Sequence, residues 1–434
     1  MRRYLFADFL SRALRFFDYD VHDVMNITDV GHLTQDDVDT GEDKLEREAR
    51  ERRKKPEEIA TEQIELFRQD LDDLNIQPAE VYPKATEHVK QMLELIKKLV
   101  ERNHAYITNS GVYFDVKSFK DYGKLSGNTL EKLEAGARVE VRGDKRQPAD
   151  FALWKLDDPE HLQQWDSPWG RGYPGWHIEC SAMAREHLGA VIDIHTGGED
   201  NRFPHHENEI AQSEGAFDEP LARFWMHNRH LKLAGKKLAK RMGEQITLDT
   251  LKEKGYSPIA FRWLVFGSHY RSPMDFSWEL LDGASKNLEK FKQLIRRLEP
   301  HSPSGLATRD PAKWDRGRKV IQKFAEALAD DLNTPEALAA VMDFVHKANA
   351  DLPKETADIW ATLMKLDEVL GIFGKLKDEI ENEDIPEEIQ RLVAERESVR
   401  KTGDFSKADQ LREEIEARGF TIEDTESGAR VKKK

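Results

Sequence analysis

The sequence predicts an α/β fold: a parallel-sheet domain carrying a β-rich insertion, followed by a helical bundle and a small helical C-terminal domain. Three observations carry this expectation. Residues 176–233 read helix, strand, glycine turn, helix, strand, which is the order of a parallel-sheet unit. Residues 104–175 hold short aromatic and β-branched runs among Trp, Pro and Gly, as strands and loops do. From Leu248 onward, apolar residues recur mostly at helical spacing.

Taken in order, residues 1–103 form the first part of the parallel-sheet domain. Leu5, Phe9, Ala13 and Phe16 share a helical stripe, with Phe6, Leu10, Leu14 and Phe17 beside it. Nothing upstream is there to cover so apolar a helix, so it is expected to lack a partner. Tyr19 to Ile27 reads as a strand, followed by a charged excursion over 34–58 and a helix to Leu74. A second helix follows Pro83 and ends near Asn103. Residues 104–175 are the inserted subdomain, with strands expected at 104–107, 112–116 and 139–142. The parallel-sheet domain resumes over 176–233. His177 to Leu188 is helical and closes at Gly189, Ala190 to His195 is a strand, and Thr196 to Asp200 is a turn. Pro204 suits a first helical position, and Phe224 to Leu233 is a second strand. Residues 234–299 open on a basic loop. Residues 300–378 are a helical bundle entered through a linker at 300–311. After an acidic linker at 379–388, residues 386–434 form a helical pair with a basic end.

Composition limits the function classes. Of 434 residues, 67 are Lys or Arg and 82 are Asp or Glu, a net charge of −15, which argues against wholesale polyanion binding but leaves room for a local basic groove. No apolar run reaches the roughly 18 residues of a membrane span. A single Cys excludes an intrachain disulfide, and a cytoplasmic protein with no membrane contact is expected.

The densest chemical constellation is Cys180, His195, His205, His206 and Glu209. His205 and Glu209 are i and i+4, on one helix face. Thiolate, imidazole and carboxylate are all zinc donors, and three of them with an open position suit a catalytic or substrate-binding zinc. A buried free Cys beside a polar helix is the plain alternative. Gly197, Gly198 and Asp200 follow a strand and precede a helix, where glycines admit close approach and a carboxylate can take ribose hydroxyls, though an ordinary tight turn reads the same way. Lys236, Lys237, Lys240 and Arg241 suit a polyphosphate or a solvated loop. Trp176 could wall a pocket above the metal.

Together these residues resemble the cysteinyl-tRNA synthetases, a family of class I aminoacyl-tRNA synthetases. The similarity rests on Pro174 to Met183, Asp193 to Asp200 and Phe203 to Glu209, with weaker matches at Asn26 to Asp29, Gly136 to Val139, His269 to Ser272, Asp331 to Pro335 and Ala408 to Arg412. The resemblance implies a Rossmann-like catalytic domain and an anticodon-binding C-terminal domain. It implies Zn2+ held by Cys180, His205 and Glu209, with Trp176, Cys180 and His205 at the cysteine pocket. Gly197, Gly198 and Asp200 would hold adenosine. Lys237 and Lys240 would carry the catalytic role of the KMSKS loop, Lys240 touching ATP.

The implied chemistry has two steps. L-cysteine attacks the α-phosphate of ATP, with Mg2+, to give cysteinyl-adenylate, and the cysteinyl group passes to tRNA(Cys). A monomer is expected. Departures accompany the match. The family's HIGH motif, first strand and fourth zinc ligand, a Cys, would lie upstream of Met1. Leu238, Ala239 and Arg241 replace Met, Ser and Ser of KMSKS. A chain lacking its upstream segment is therefore expected to be inactive or nearly so. The rival readings are an inactive tRNA-binding paralogue or truncated product, and a cysteine ligase acting on an amino sugar of the mycothiol pathway.

Overall fold

The computed structural model describes the chain apart from residues 36–39, 129–143, 157–160, 234–235, 238–245, 299–309, 352–354, 384, 403, 426–427 and 434. Two compact units emerge. Unit one comprises Asp20–Arg68 and Pro78–His230, and unit two comprises Met1–Tyr19, Gln69–Gln77 and Leu231–Lys434. No helix among the described residues is long and apolar enough to cross a membrane.

Unit one opens without the expected strand at 19–27. Two parallel bridges, Val24 to Val81 and Ile27 to Lys84, stand in its place. The partner segment contains Pro83, which has no N–H to give and cannot extend a ladder. The charged excursion is structured at its ends. β1 (Leu33–Gln35) pairs antiparallel with β2 (Thr40–Asp43), and Asp43 caps a helix over Lys44–Arg52 by accepting from the backbone N–H groups of Leu45 and Glu46. The inserted subdomain is an antiparallel sheet in the order β3 (Ala105–Ile107), β4 (Gly111–Phe114), β5 (Phe151–Lys155), β6 (Tyr173–Pro174). β5 was absent from the sequence reading, because its run Phe-Ala-Leu-Trp-Lys is buried at every position and shows no alternation. The strand expected at 139–142 and the Gly136–Val139 match lie outside the described residues.

The sheet packs against the helix Val89–Glu101, which in turn faces the helices Trp176–Leu188 and Glu207–Phe217. Met92, Leu95, Ile96 and Leu99 join Phe114, Leu153, Trp154, Ile178 and Met183 in one core. The parallel unit is present as β7 (Ile192–Gly198) beside β8 (Ala222–Asn228), crossed over by the helix Glu207–Phe217. Two boundaries differ from expectation. Gly197 and Gly198 belong to β7 rather than to a turn, because they continue the ladder opposite His227 and Asn228. Pro204 does not start the helix. Phe203 before it is extended (φ −142°, ψ 133°), as a pre-proline residue tends to be, and Arg202–His206 make a wide turn before the helix begins.

In unit two, β9 (Leu231–Leu233) pairs antiparallel with β10 (Lys236–Lys237) and parallel with β11 (Met274–Phe276). The N-terminal helix, Arg2–Phe16, is not unpartnered. It packs on the helices Pro258–Phe266 and Thr356–Leu370, with Phe9 edge-on to Phe266 at 4.8 Å and Phe6 stacked on Tyr270 at 4.7 Å. Helices Asp315–Ala329, Thr334–Asp351, Thr356–Leu370 and Phe373–Glu383 form the bundle. The last runs well into the expected acidic linker, because Ile380 is buried on its inner face. The linker at 300–311 lies almost wholly outside the described residues. At the C-terminus the two expected helices, Glu387–Lys401 and Phe405–Ala417, are joined by a hairpin of β12 (Phe420–Thr425) and β13 (Gly428–Lys433). Ile389, Ile415, Phe420, Ile422 and Val431 close a separate small core.

Candidate active site

The site forms in unit one where the helix Trp176–Leu188, the end of β7 and the start of the helix Glu207–Phe217 converge. Gly175 precedes the first of these helices, and a Cβ there would stand 2.1 Å from the carbonyl oxygen of Ala152, so only Gly lets the chain turn into the helix against β5. That turn opens the helix with Trp176 and Cys180 one turn apart on the same face and His177 next to Trp176. The wide turn at 202–206 sets His205 and His206 beside Glu209.

Cys180, His205 and Glu209 each offer a donor atom, and all three lie within 4.8 Å of one another. His205 Nε2 is 3.1 Å from Glu209 Oε1, and His195 Nε2 is 3.2 Å from Glu209 Oε2. Glu209 is fully buried, and its Oε2 has no hydrogen bond of good geometry among the described residues. The Asn26 amide donates to Cys180 Sγ at 3.5 Å. Trp176 lies over His205 with ring centroids 4.5 Å apart. His177 and His205 meet through their Nδ1 atoms at 2.8 Å, and His206 Nδ1 meets His227 Nε2 at 2.9 Å.

The electrostatics suit metal ligation. Burial would push the Glu209 carboxyl up, but the imidazoles of His195 and His205 reverse this and hold it well below the usual carboxylate range. Burial pushes His205 down despite Glu209 beside it, and takes His206 down to about 2 and His227 to about 4. Burial thus disfavours the protonated form of these rings, and the neutral imidazole is the form that lends a lone pair to a metal. Zinc fits the residues present: the donor set is mixed S, N and O, preassembled, and centred on a buried carboxylate with one oxygen unsatisfied.

Sequence reasoning thus grouped Cys180, His205, Glu209 and Trp176, and the structure brings these four together. Gly197 and Gly198 lie at the end of β7. A Cβ on Gly197 would stand 2.5 Å from His206 Cε1, so Gly197 makes room for that ring. Asp200 is exposed at the mouth of the same strand, with His230 Nδ1 3.9 Å away. Lys237 lies in unit two, on β10 opposite Lys232. Lys240 and Arg241 lie outside the described residues. The sequence reading missed His177, His227 and Asn26 as parts of the site. His177 and Asn26 sit inside quoted motifs, so a signal was available, whereas His227 is reached only through the parallel pairing of β8 with β7.

Comparisons with known proteins identify the family. Residues 1–286 match the tRNA synthetases class I (C) catalytic domain, residues 323–374 the DALR domain, and residues 382–431 the cysteinyl-tRNA ligase anticodon binding domain. The chain is 41% identical to a cysteine–tRNA ligase of Chlorobaculum tepidum over 100% of its own length and 91% of the relative's. It is 42% identical to a cysteine–tRNA ligase of Thermus thermophilus over 98% of its length and 89% of the relative's. Its fold is similar to that of Mycobacterium tuberculosis methionyl-tRNA synthetase bound by methionyl-adenylate, with a TM-score of 0.57 at 15% identity over 86% of this chain and 87% of that one. With the family matched over most of its length and its zinc-type donors assembled, the chain belongs to the cysteine–tRNA ligases, class I aminoacyl-tRNA synthetases.

Proposed function

We propose that the chain binds L-cysteine at the Cys180, His205 and Glu209 cluster, activates it with ATP and Mg2+ to cysteinyl-adenylate, and passes the cysteinyl group to tRNA(Cys) in the cytoplasm. The observation that carries this reading is the convergence of three zinc-type donors beneath Trp176. Zinc bound there would supply a soft Lewis-acid seat that prefers a thiol to a hydroxyl. Cys180, His205 and Glu209 offer three protein ligands, and a further position open to the substrate thiol would follow the pattern of catalytic sites.

The chain's own residues supply the rest. Trp176 walls the pocket on the side of His205. Gly197, Gly198 and Asp200 take the adenosine ribose at the end of β7, following the rule that open α/β sheets bind ligands beyond the carboxyl ends of their strands. Lys237 and Lys240 neutralise charge that develops on the phosphates. The C-terminal helices and hairpin contact the anticodon end of the tRNA, and the sequence of β13 includes Arg430, Lys432 and Lys433, residue types that bind phosphate. Those domains also favour the tRNA ligase over the amino-sugar ligase, which would have no use for an anticodon-binding region.

Cobalt substitution tests the reading. The Co2+-loaded chain should show thiolate-to-cobalt absorption in the near ultraviolet that L-cysteine perturbs, L-serine does not, and Cys180→Ser removes. An identical spectrum in the Cys180→Ser variant would refute the ligand set.

A further inference from the structure

We infer that Asp43, Glu46 and His161 form a second divalent-metal site in unit one, of the zinc class, which clamps the charged excursion onto the segment preceding Trp165. The three side chains share no residue with the Cys180 cluster. All are buried, at 7%, 6% and 6% exposure, and each offers a donor atom within 4.8 Å of the other two. Two buried carboxylates face one imidazole, His161, at 3.4 Å and 3.7 Å, an arrangement that favours a further positive charge.

The hydrogen bonds assign the donor atoms. His161 Nδ1 is 2.8 Å from the carbonyl oxygen of Gln163, an approach that needs a hydrogen on Nδ1 and outweighs the longer 3.3 Å approach of the Gln163 N–H to the same atom. Burial pushes the His161 ring down, but Asp43, the Gln163 carbonyl and Glu46 raise it on balance, so the pocket favours a positive charge. When the ring is neutral, Nε2 is the lone-pair atom. Nε2 faces Asp43 Oδ2 at 3.4 Å, an ion-pair distance, and neither buried atom has a hydrogen bond of good geometry among the described residues. Two ligands about 2.1 Å from a tetrahedral zinc stand roughly 3.4 Å apart, so a cation between these two atoms satisfies both without moving either. Asp43 Oδ1 is already engaged as the helix cap, accepting from the N–H groups of Leu45 at 2.8 Å and Glu46 at 3.1 Å, which fixes the carboxylate and leaves Oδ2 for the metal. Glu46, three residues on, offers the third donor within 4.8 Å of the other two, with its Oε1 3.7 Å from His161 Nδ1. Its carboxylate is braced by the N–H of Leu162 and by Arg50 at 3.0 Å.

The surroundings are built to this shape. A Cβ on Gly31 would stand 2.0 Å from Asp43 Oδ2, so only Gly permits the carboxylate in this position. The Gly31 N–H donates to the Gln163 side chain at 2.9 Å, and Gln163 donates back to the Asp29 carbonyl at 3.0 Å, tying the wall to the segment that carries His161. Tyr173 stacks on the His161 ring at 3.7 Å between centroids, holding its plane. Such outer partners orient a metal-ligating imidazole.

Zinc retention by the full-length chain tests this site apart from the Cys180 cluster. Protein carrying Cys180→Ser, loaded with Zn2+ and desalted, should keep one equivalent. Adding Asp43→Asn, which preserves the helix cap, or His161→Gln should remove it. In the Cys180-intact chain, each of these two substitutions should remove one equivalent while leaving the Co2+–thiolate absorption unchanged. A Cys180→Ser protein that keeps no zinc, or double variants that keep one equivalent, would overturn the inference. The cluster would then be an Asp43–His161 ion pair alone.

Discussion

His177 and His205 meet nitrogen to nitrogen, Nδ1 to Nδ1, at 2.8 Å. Such a contact needs one hydrogen and one lone pair. With zinc bound, His205 Nε2 beside Glu209 would need its lone pair, so the hydrogen of His205 would sit on Nδ1 and His177 would accept it. In that state His177 would be a positioning residue that sets the tautomer and plane of His205. His177→Phe should weaken zinc at the Cys180 cluster by about 10–100-fold, the usual effect of losing an outer partner. His177→Asn, which can still accept, should recover part of it. A competition titration with a chromophoric chelator reads both, and equal affinity in His177→Phe and the unsubstituted chain would exclude the role.

Gly197→Ala should destabilise unit one. Its Cβ would fall 2.5 Å from His206 Cε1 and 2.8 Å from Nε2, and the ring is held by His227 behind it. Overpacking of this kind costs about 1–3 kcal/mol. Urea unfolding followed by Trp fluorescence measures it, and an unchanged midpoint would show that the ring moves aside freely.

How much of this was legible beforehand depended on range. Cys180, His205 and Glu209 could be grouped because i, i+4 spacing and a single crossover bring them together, both of which are local rules. The N-terminal helix was misjudged because Phe266 and the helix Thr356–Leu370, which cover it, lie far along the chain, and no local pattern points to them. The hairpin of β12 and β13 was read past because its second strand, with Arg430, Lys432 and Lys433, resembles a charged helix end. Only the pairing of Ile422 with Val431 shows which residues face inward. β5 was missed for the opposite reason, since complete burial removes the alternation that marks a strand.

Unit two depends on a buried ion cluster. Asp8 is flanked by Arg12 at 2.9 Å and Arg262 at 2.7 Å, all three almost fully buried. Arg262 also donates to the carbonyls of Leu370 at 2.6 Å and Leu74 at 3.0 Å, knitting three distant segments of that unit together. Asp8→Ala would leave two guanidinium groups buried without their anion, a loss of about 3–5 kcal/mol. Chemical denaturation should show it as a lowered midpoint. A change below about 0.5 kcal/mol, the range of a surface substitution, would contradict the assignment.

The C-terminal domain should carry its own acid transition. Arg396 holds Asp424 through two hydrogen bonds at 2.8 Å and 3.0 Å, with Arg400 beside them, and lowers its carboxyl to about 2. A carboxyl lowered on folding contributes in full above its unfolded value of about 3.9 and loses that contribution as pH falls through the folded value. The stabilisation should therefore fade between about pH 4 and pH 2, and Asp424→Asn should flatten this part of the profile while lowering the midpoint at neutral pH. Thermal melts across that range decide, and parallel profiles for the two proteins would show that the pair is inert.

Titration calorimetry of the zinc-loaded chain with L-cysteine and L-serine tests the central claim most directly, because the two ligands differ only in the atom that meets the Cys180, His205 and Glu209 cluster. The predicted result is a preference for cysteine of more than about 100-fold, with that preference lost in Cys180→Ser. Equal binding of the two amino acids, or an undiminished preference in the Cys180→Ser variant, would contradict it.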